Sequence, residues 1–288
     1  MSNRNSARRK KVAGAEDTPT MVDNESAPTK NSLLNFSTPT EIVELPSRGI
    51  FYGPGHPLEG KDTVEIKYMT AKEEDILTSP ALIKKGIALE RLMGSIVVEN
   101  INTLDLLIAD RNAILMAARV TGYGPDYNVH VSCPSCEQNF EHEFDLSRYA
   151  EGYDFDAPEE SIFHFTKEKT FEIELPTSKV LVEIKALTGH EENKLTKIRE
   201  LKAKNNLPET NLTDLFRMMI VRANGIEDQS QIAEFIDNMP AIDSRFLRAA
   251  YTKIMPSVNF SQAAECTSCG NLAETEVPVT AEFFWPKQ

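Results

Sequence analysis

Apolar and polar residues alternate through Glu41-Ile42-Val43-Glu44-Leu45 and again over residues 63–69, the period of half-buried strands. Pro46 stops the first strand, and Gly49, Gly53, Pro54, Gly55, Pro57 and Gly60 predict turns around a short strand at 50–52. The period then lengthens. Thr70-Ala71-Lys72-Glu73 is a capping-box sequence and predicts a helix through Leu77. Pro80 opens a second helix with Ile83, Ile87, Met93, Ile96 and Val97 near one face. Thr103 opens a third, which runs to about Val120 and closes at Gly122. Residues 127–133 and 140–146 read as the strands of a hairpin with Cys133-Pro134-Ser135-Cys136 at its tip. Later in the chain Leu212, Leu215, Phe216, Met219, Ile220 and Ala223 share a helical stripe, with Asn211 to cap it and Gly225 to end it. A Met and Phe stripe of this kind is core rather than a cofactor box.

The same order of elements recurs. Glu44-Leu45-Pro46 returns as Glu174-Leu175-Pro176, and Val64-Glu65-Ile66-Lys67 as Val182-Glu183-Ile184-Lys185. The helix start Thr70, Glu73, Glu74, Leu77 returns as Thr188, Glu191, Glu192, Leu195. Asp110 precedes Cys133 by 23 residues, and Asp243 precedes Cys266 by 23. Four matches in one order predict an internal duplication, whose units are unable to bury a core alone. The expected organisation is an arm at 1–40 too polar to order itself, a first repeat at 41–146, a linker at 147–170 and a second repeat at 171–288 ending in an aromatic motif. The fold class is α+β: short antiparallel strands plus helices, with the two halves joined at a zinc-ribbon-like site.

Charge narrows the function. The formal net charge of the 288-residue chain is −13. Residues 1–40 hold six Lys/Arg and four Asp/Glu, so the rest of the chain carries 25 basic and 40 acidic residues, close to −15. Such a surface repels phosphate backbones and suits basic partner proteins. The run Arg8-Arg9-Lys10-Lys11 reads as a solvated tail. The longest apolar run, 113–118, is too short to span a bilayer, and nothing near the start resembles a secretion signal. No phosphate loop, nucleophile elbow or HExxH motif occurs, so no enzyme and no small-molecule substrate is expected. The acids Glu73, Glu74, Glu191 and Glu192 sit in first helical turns, where the helix dipole explains them. Asp110-Arg111 and Asp243 with Arg245 read as structural ion pairs or partner contacts.

All four cysteines, Cys133, Cys136, Cys266 and Cys269, lie in CxxC pairs. Two such turns complete the four-thiolate shell of a closed, structural zinc site, which leaves no open position for catalysis. The 129 residues between Cys136 and Cys266 exceed any compact zinc ribbon. The duplication accounts for them: each half offers one knuckle, and the two share one ion. Gly270 follows Cys269 as knuckles often require, whereas Glu137 follows Cys136. The alternative, a pair of redox dithiols, lacks the strand–CxxC–helix setting of that chemistry. His130 and His142 flank the first knuckle and read as ordinary strand residues.

One further set of residues carries a resemblance. Leu45-Pro46-Ser47-Arg48-Gly49-Ile50-Phe51-Tyr52, the run from Met69 to Leu77, Asp110-Arg111, Tyr123-Gly124, the first CxxC and the ending Glu282-Phe283-Phe284-Trp285-Pro286 together resemble baseplate hub and hub-assembly proteins of T-even-like contractile-tailed bacteriophages. The resemblance implies a non-enzymatic component of the virion tail baseplate, made in the host cytoplasm. Its partners would be other hub proteins, the tape-measure protein and the central spike. A tail-assembly chaperone absent from the virion and an intracellular zinc-ribbon module that binds nucleic acid are the competing expectations. Phe283, Phe284 and Trp285 read equally as an anchor for a partner pocket or as a plug over the chain's own core.

Overall fold

The computed structural model describes residues 38–150, 164–258, 260–278 and 283–284. The expected arm up to residue 37, most of the expected linker and Trp285 therefore lie outside the described residues.

The alternating segments form strands as their period demands. β1 (Thr40–Glu44) pairs antiparallel with β2 (Thr63–Lys67), Val43 opposite Val64, which buries both and turns Ile42 outward. The loop between them holds no strand at 50–52. Arg48 and Gly49 both take positive φ, and a Cβ on Gly49 would lie 2.4 Å from the Leu58 carbonyl oxygen. Only glycine fits there, and the loop folds back on itself, so Phe51 and Tyr52 are buried side chains of a turn.

α1 (Ala71–Thr78) starts at the reciprocal cap of Thr70 and Glu73. The single helix expected from Pro80 is two, α2 (Pro80–Lys84) and α3 (Ala88–Ile96), because Gly86 turns left-handed at φ +68°. α4 (Ile108–Tyr123) begins later than Thr103: Leu107 is extended and bridges Thr188. It also runs through Gly122, whose missing side chain makes room for the Met69 methyl, and ends at Gly124. β3 (Asp126–Ser132) and β4 (Asn139–Asp145) form the expected hairpin.

The later residues form a four-stranded antiparallel sheet ordered β5 (His164–Phe165), β6 (Thr170–Glu174), β7 (Leu181–Lys185) and β8 (Ile220–Ala223). α5 (Gly189–Lys204) follows β7, with Thr188 and Glu191 repeating the reciprocal cap of α1. α6 (Asn211–Met219) ends four residues short of the apolar stripe that predicts it, and Thr210 rather than Asn211 holds the cap position. β-branched Ile220 and Val221 leave the helix for β8, where Arg222 meets Glu183 of β7 at 2.8 Å. Asn224 and Gly225, both at positive φ, turn the chain after that strand instead of ending a helix. α7 (Gln229–Asp237), α8 (Ala241–Ile254) and the hairpin β9 (Ser261–Glu265)–β10 (Leu272–Glu276) complete the described elements.

Asp110 and Asp243 each occupy the third position of their helix, α4 and α8, and neither is exposed. Among the described residues neither makes an ion pair; each grips the turn after a Leu-Pro. Asp110 accepts from the Ser47 amide at 3.0 Å, the Ser47 hydroxyl at 2.6 Å and the Tyr52 hydroxyl at 2.6 Å. Asp243 accepts from the Thr177 and Ser178 amides at 2.7 and 2.8 Å. Burial raises the Asp110 carboxyl above its ordinary range, and the Ser47 and Tyr52 bonds pull against it. Burial pushes Asp243 the same way, but its bonds from Ser178 and Thr177 win and hold it low. Replacing Asp110 by Ala strands three buried donors, so a loss of about 3 kcal/mol is expected in urea unfolding. Asp243→Ala strands two, and the loss should be somewhat smaller.

One apolar core runs through the described residues from Val43 to Phe284. Backbone bonds tie α4 to the start of α5: Ile108 N–H to Leu187 O at 3.0 Å and Gly189 N–H to Leu106 O at 3.0 Å. Arg111 of α4 packs over Gly189, where a Cβ would lie 2.6 Å from its guanidinium, and faces Glu192 at 3.4 Å.

Candidate metal centre

Each knuckle is the tight turn of a two-stranded hairpin, and the two are built alike. Cys133 N–H donates to Gln138 O at 3.0 Å and Glu137 N–H to Cys133 O at 2.9 Å; Cys266 N–H donates to Asn271 O at 2.9 Å and Gly270 N–H to Cys266 O at 2.8 Å. The turn needs a left-handed residue after the second cysteine. Gly270 supplies it at φ +71°, and Glu137 adopts the same conformation at φ +59° with a Cβ in place. A left-handed L-residue costs about 1–2 kcal/mol, part of which glycine gives back as chain entropy. Glu137→Gly is therefore expected to stabilise the metal-loaded protein by about 0.5–1 kcal/mol, read as a higher urea midpoint.

The hairpins meet tip to tip. All four Sγ atoms lie within 4.8 Å of one another, with Cys133–Cys269 at 3.7 Å and Cys136–Cys266 at 3.8 Å. A tetrahedral ion with metal–sulfur bonds of about 2.3 Å has ligand–ligand edges of about 3.8 Å, so the cluster has the size of such a shell. Cys133 and Cys266 are buried, Cys136 half-buried and Cys269 exposed. Away from the tips, Gln262 of β9 pairs with the Asp145 backbone of β4, accepting at 3.1 Å and donating at 2.8 Å.

Four sulfurs this close cannot all ionise without a cation among them. The Cys136 amide, then that of Ser135, draws the Cys133 thiol down to about 6. At Cys269 the Asn271 amide pulls the same way, yet the neighbouring sulfurs, Cys136 first, push that thiol up to about 12. One site favours thiolate at the other's expense, and a shared divalent ion removes the conflict. The soft, all-thiolate donor set can hold one metal ion and leaves no ligand position for a reacting water. His142 stands apart from it, edge-on to Phe140 and Phe144, and His130 pairs across the hairpin with Glu141.

The aromatic end lies elsewhere. Phe283 and Phe284 are 1% and 2% exposed, packed edge-to-face on each other, with Phe283 against Tyr127. In this structure Phe283 and Phe284 cover the chain's own core, the plug of the two readings open for them, and Trp285 lies outside the described residues. The residue that sequence reasoning left without this role is Arg119. Only 1% exposed, it donates to the carbonyl oxygens of Phe283 and Gly124, each at 2.6 Å, and of Asp126 at 3.2 Å, and lies over the Tyr123, Tyr127 and Phe283 rings. Its partners come from distant parts of the chain, and an Arg in an Ala-rich helix carries no local sign of them.

No curated protein and no solved structure gives a significant match to this chain. The family model described as T4 bacteriophage base plate protein matches residues 43–285, from the middle of β1 through both hairpins to the aromatic end. With all but the two ends of the chain inside that match, the protein belongs to the T4 bacteriophage base plate protein family.

Proposed function

We propose that this baseplate-family protein is a subunit or assembly factor of the central tail hub, acting through protein–protein contacts, and that one zinc ion on Cys133, Cys136, Cys266 and Cys269 clamps together two halves of a duplicated domain. The observation that carries the clamp is the convergence of four sulfurs from hairpins 130 residues apart into a shell of tetrahedral size. Zinc is the ion that such a closed four-thiolate shell commonly takes. The duplication draws support from geometry beyond sequence: the matched caps of α1 and α5, the matched grips of Asp110 and Asp243, and the two equivalent knuckles.

The hub assignment draws on the resemblance of the Leu45–Tyr52 run and the Met69–Leu77 run, and the family supplies the baseplate setting. Other hub proteins, the tape-measure protein and the central spike are the partners that the resemblance implies. The chain would join them in the host cytoplasm and stay in the finished tail. Quantitative mass spectrometry of purified tails, with baseplates dissociated stepwise, tests this. The chain should be retained in the particle and fractionate with the spike and tape-measure protein. Presence only in unassembled lysate would make it a chaperone, and fractionation with the outer baseplate would remove it from the hub.

A further inference from the structure

β1 pairs with β2 on one side and, among the described residues, with no strand on the other. Leu45 N–H donates to Asp62 O at 2.7 Å and Tyr68 N–H to Pro39 O at 2.9 Å. In an antiparallel ladder this assigns the odd-numbered residues of β1 to β2 and turns the amides and carbonyls of Thr40, Ile42 and Glu44 outward. β6 has the same parity. Leu175 N–H donates to Val180 O at 3.0 Å on the β7 side, and Thr166 N–H to Thr170 O at 2.9 Å on the other, so Thr170 and Glu172 face β5. Both strands span five residues and run into Glu-Leu-Pro. Thr40 and Ile42 thus hold the places of Thr170 and Glu172 but, among the described residues, without a strand that covers them.

The uncovered edge has a definite chemistry. Ile42 is 70% exposed, more than any other large hydrophobic side chain among the described residues. Glu41 and Glu44 flank it, Glu65 lies opposite it on β2, and the whole chain is acidic. An incoming strand gains most by setting an apolar residue beside Ile42 and cations beside the glutamates. The matching edge of β6 is paired by the same rule: β5 sets His164 opposite Glu172 and Phe165 opposite Phe171. A second copy of this chain would bring further acid to the edge.

We propose that the outer edge of β1 is a docking edge that takes an extended segment of a partner protein as an added strand, with an apolar or aromatic residue opposite Ile42 and Lys or Arg opposite Glu41 and Glu44. The inference rests on the comparison of the two sheets, and neither the hub reading nor the metal enters it.

Amide exchange on the 15N-labelled full chain tests it. The probes are a synthetic peptide with a central Phe, Lys one place away on one side and two places away on the other, and Val elsewhere, and a control with every Lys replaced by Glu. The Thr40, Ile42 and Glu44 amides should exchange freely in the protein alone and slow roughly tenfold on adding the Lys peptide, with no response to the Glu peptide. Ile42→Pro removes only an outward amide and is tolerated on an edge strand. Ile42→Lys adds a like charge. Each should weaken peptide binding roughly five- to tenfold with circular dichroism and metal content unchanged, and the Lys variant serves if the Pro variant misfolds. Four results overturn the proposal: amides already slow before peptide is added, slowing that follows protein concentration alone, equal response to both peptides, or no response at saturation.

Discussion

Ending the chain after Ala281 is expected to abolish cooperative folding. The cut removes Phe283 and Phe284, both nearly inaccessible, and takes from buried Arg119 the Phe283 carbonyl it holds at 2.6 Å. Truncating a buried Phe to Ala costs about 3–5 kcal/mol, and the lost hydrogen bond to the Arg119 cation adds to that. Losing both rings, about 6–10 kcal/mol, is as large as a typical native stability of about 5–15 kcal/mol. Phe283→Ala alone should cost about 3–5 kcal/mol in urea unfolding, enough to measure in a folded protein. A truncated chain that unfolds with unchanged midpoint and slope would favour the external-anchor reading of these aromatics over the plug.

The second large effect is the loss of a single knuckle ligand. If one ion is shared, Cys133→Ser and Cys266→Ser each break the same clamp, although they lie in different hairpins. A structural zinc site of this kind contributes on the order of 10 kcal/mol. Each variant, or chelation of the wild type, is expected to lower stability by several kcal/mol of that and to release the hairpins. The double variant should be scarcely worse than either single one, because the second substitution acts on a site already lost. Urea unfolding of the four proteins, with and without chelator, gives the cycle. Additive losses would mean that each CxxC holds something of its own.

Much of this arrangement is legible in the sequence because it is local. The caps at Thr70 and Thr188, the strands β1 to β4 and both knuckles depend on residues within a few positions of one another, and the structure has them where the pattern places them. The meeting of the knuckles follows from the chemistry of four cysteines, which leaves few other uses for them.

The failures have physical causes. Gly86 breaks a helix that periodicity alone would run through it, whereas Gly122 stays helical to admit the Met69 methyl. A lone glycine does not announce which role it has. The stripe ending at Ala223 stays apolar through the change from α6 to β8, since Ile220 is buried in either state and only the pairing with β7 selects the strand. The expected strand at 50–52 is a short apolar run between turns, and among the described residues no strand pairs with it. Asp110 lies 63 residues from Ser47, and Arg119 lies 164 residues from Phe283. Contacts over such separations leave no mark on local pattern.

The central claim, one zinc shared between the two hairpins, is tested most directly by native mass spectrometry of the intact protein and of its Cys133→Ser and Cys266→Ser variants. One zinc per chain is expected in the wild type and none in either variant. Two ions per chain, none, or an ion retained by both variants would contradict it.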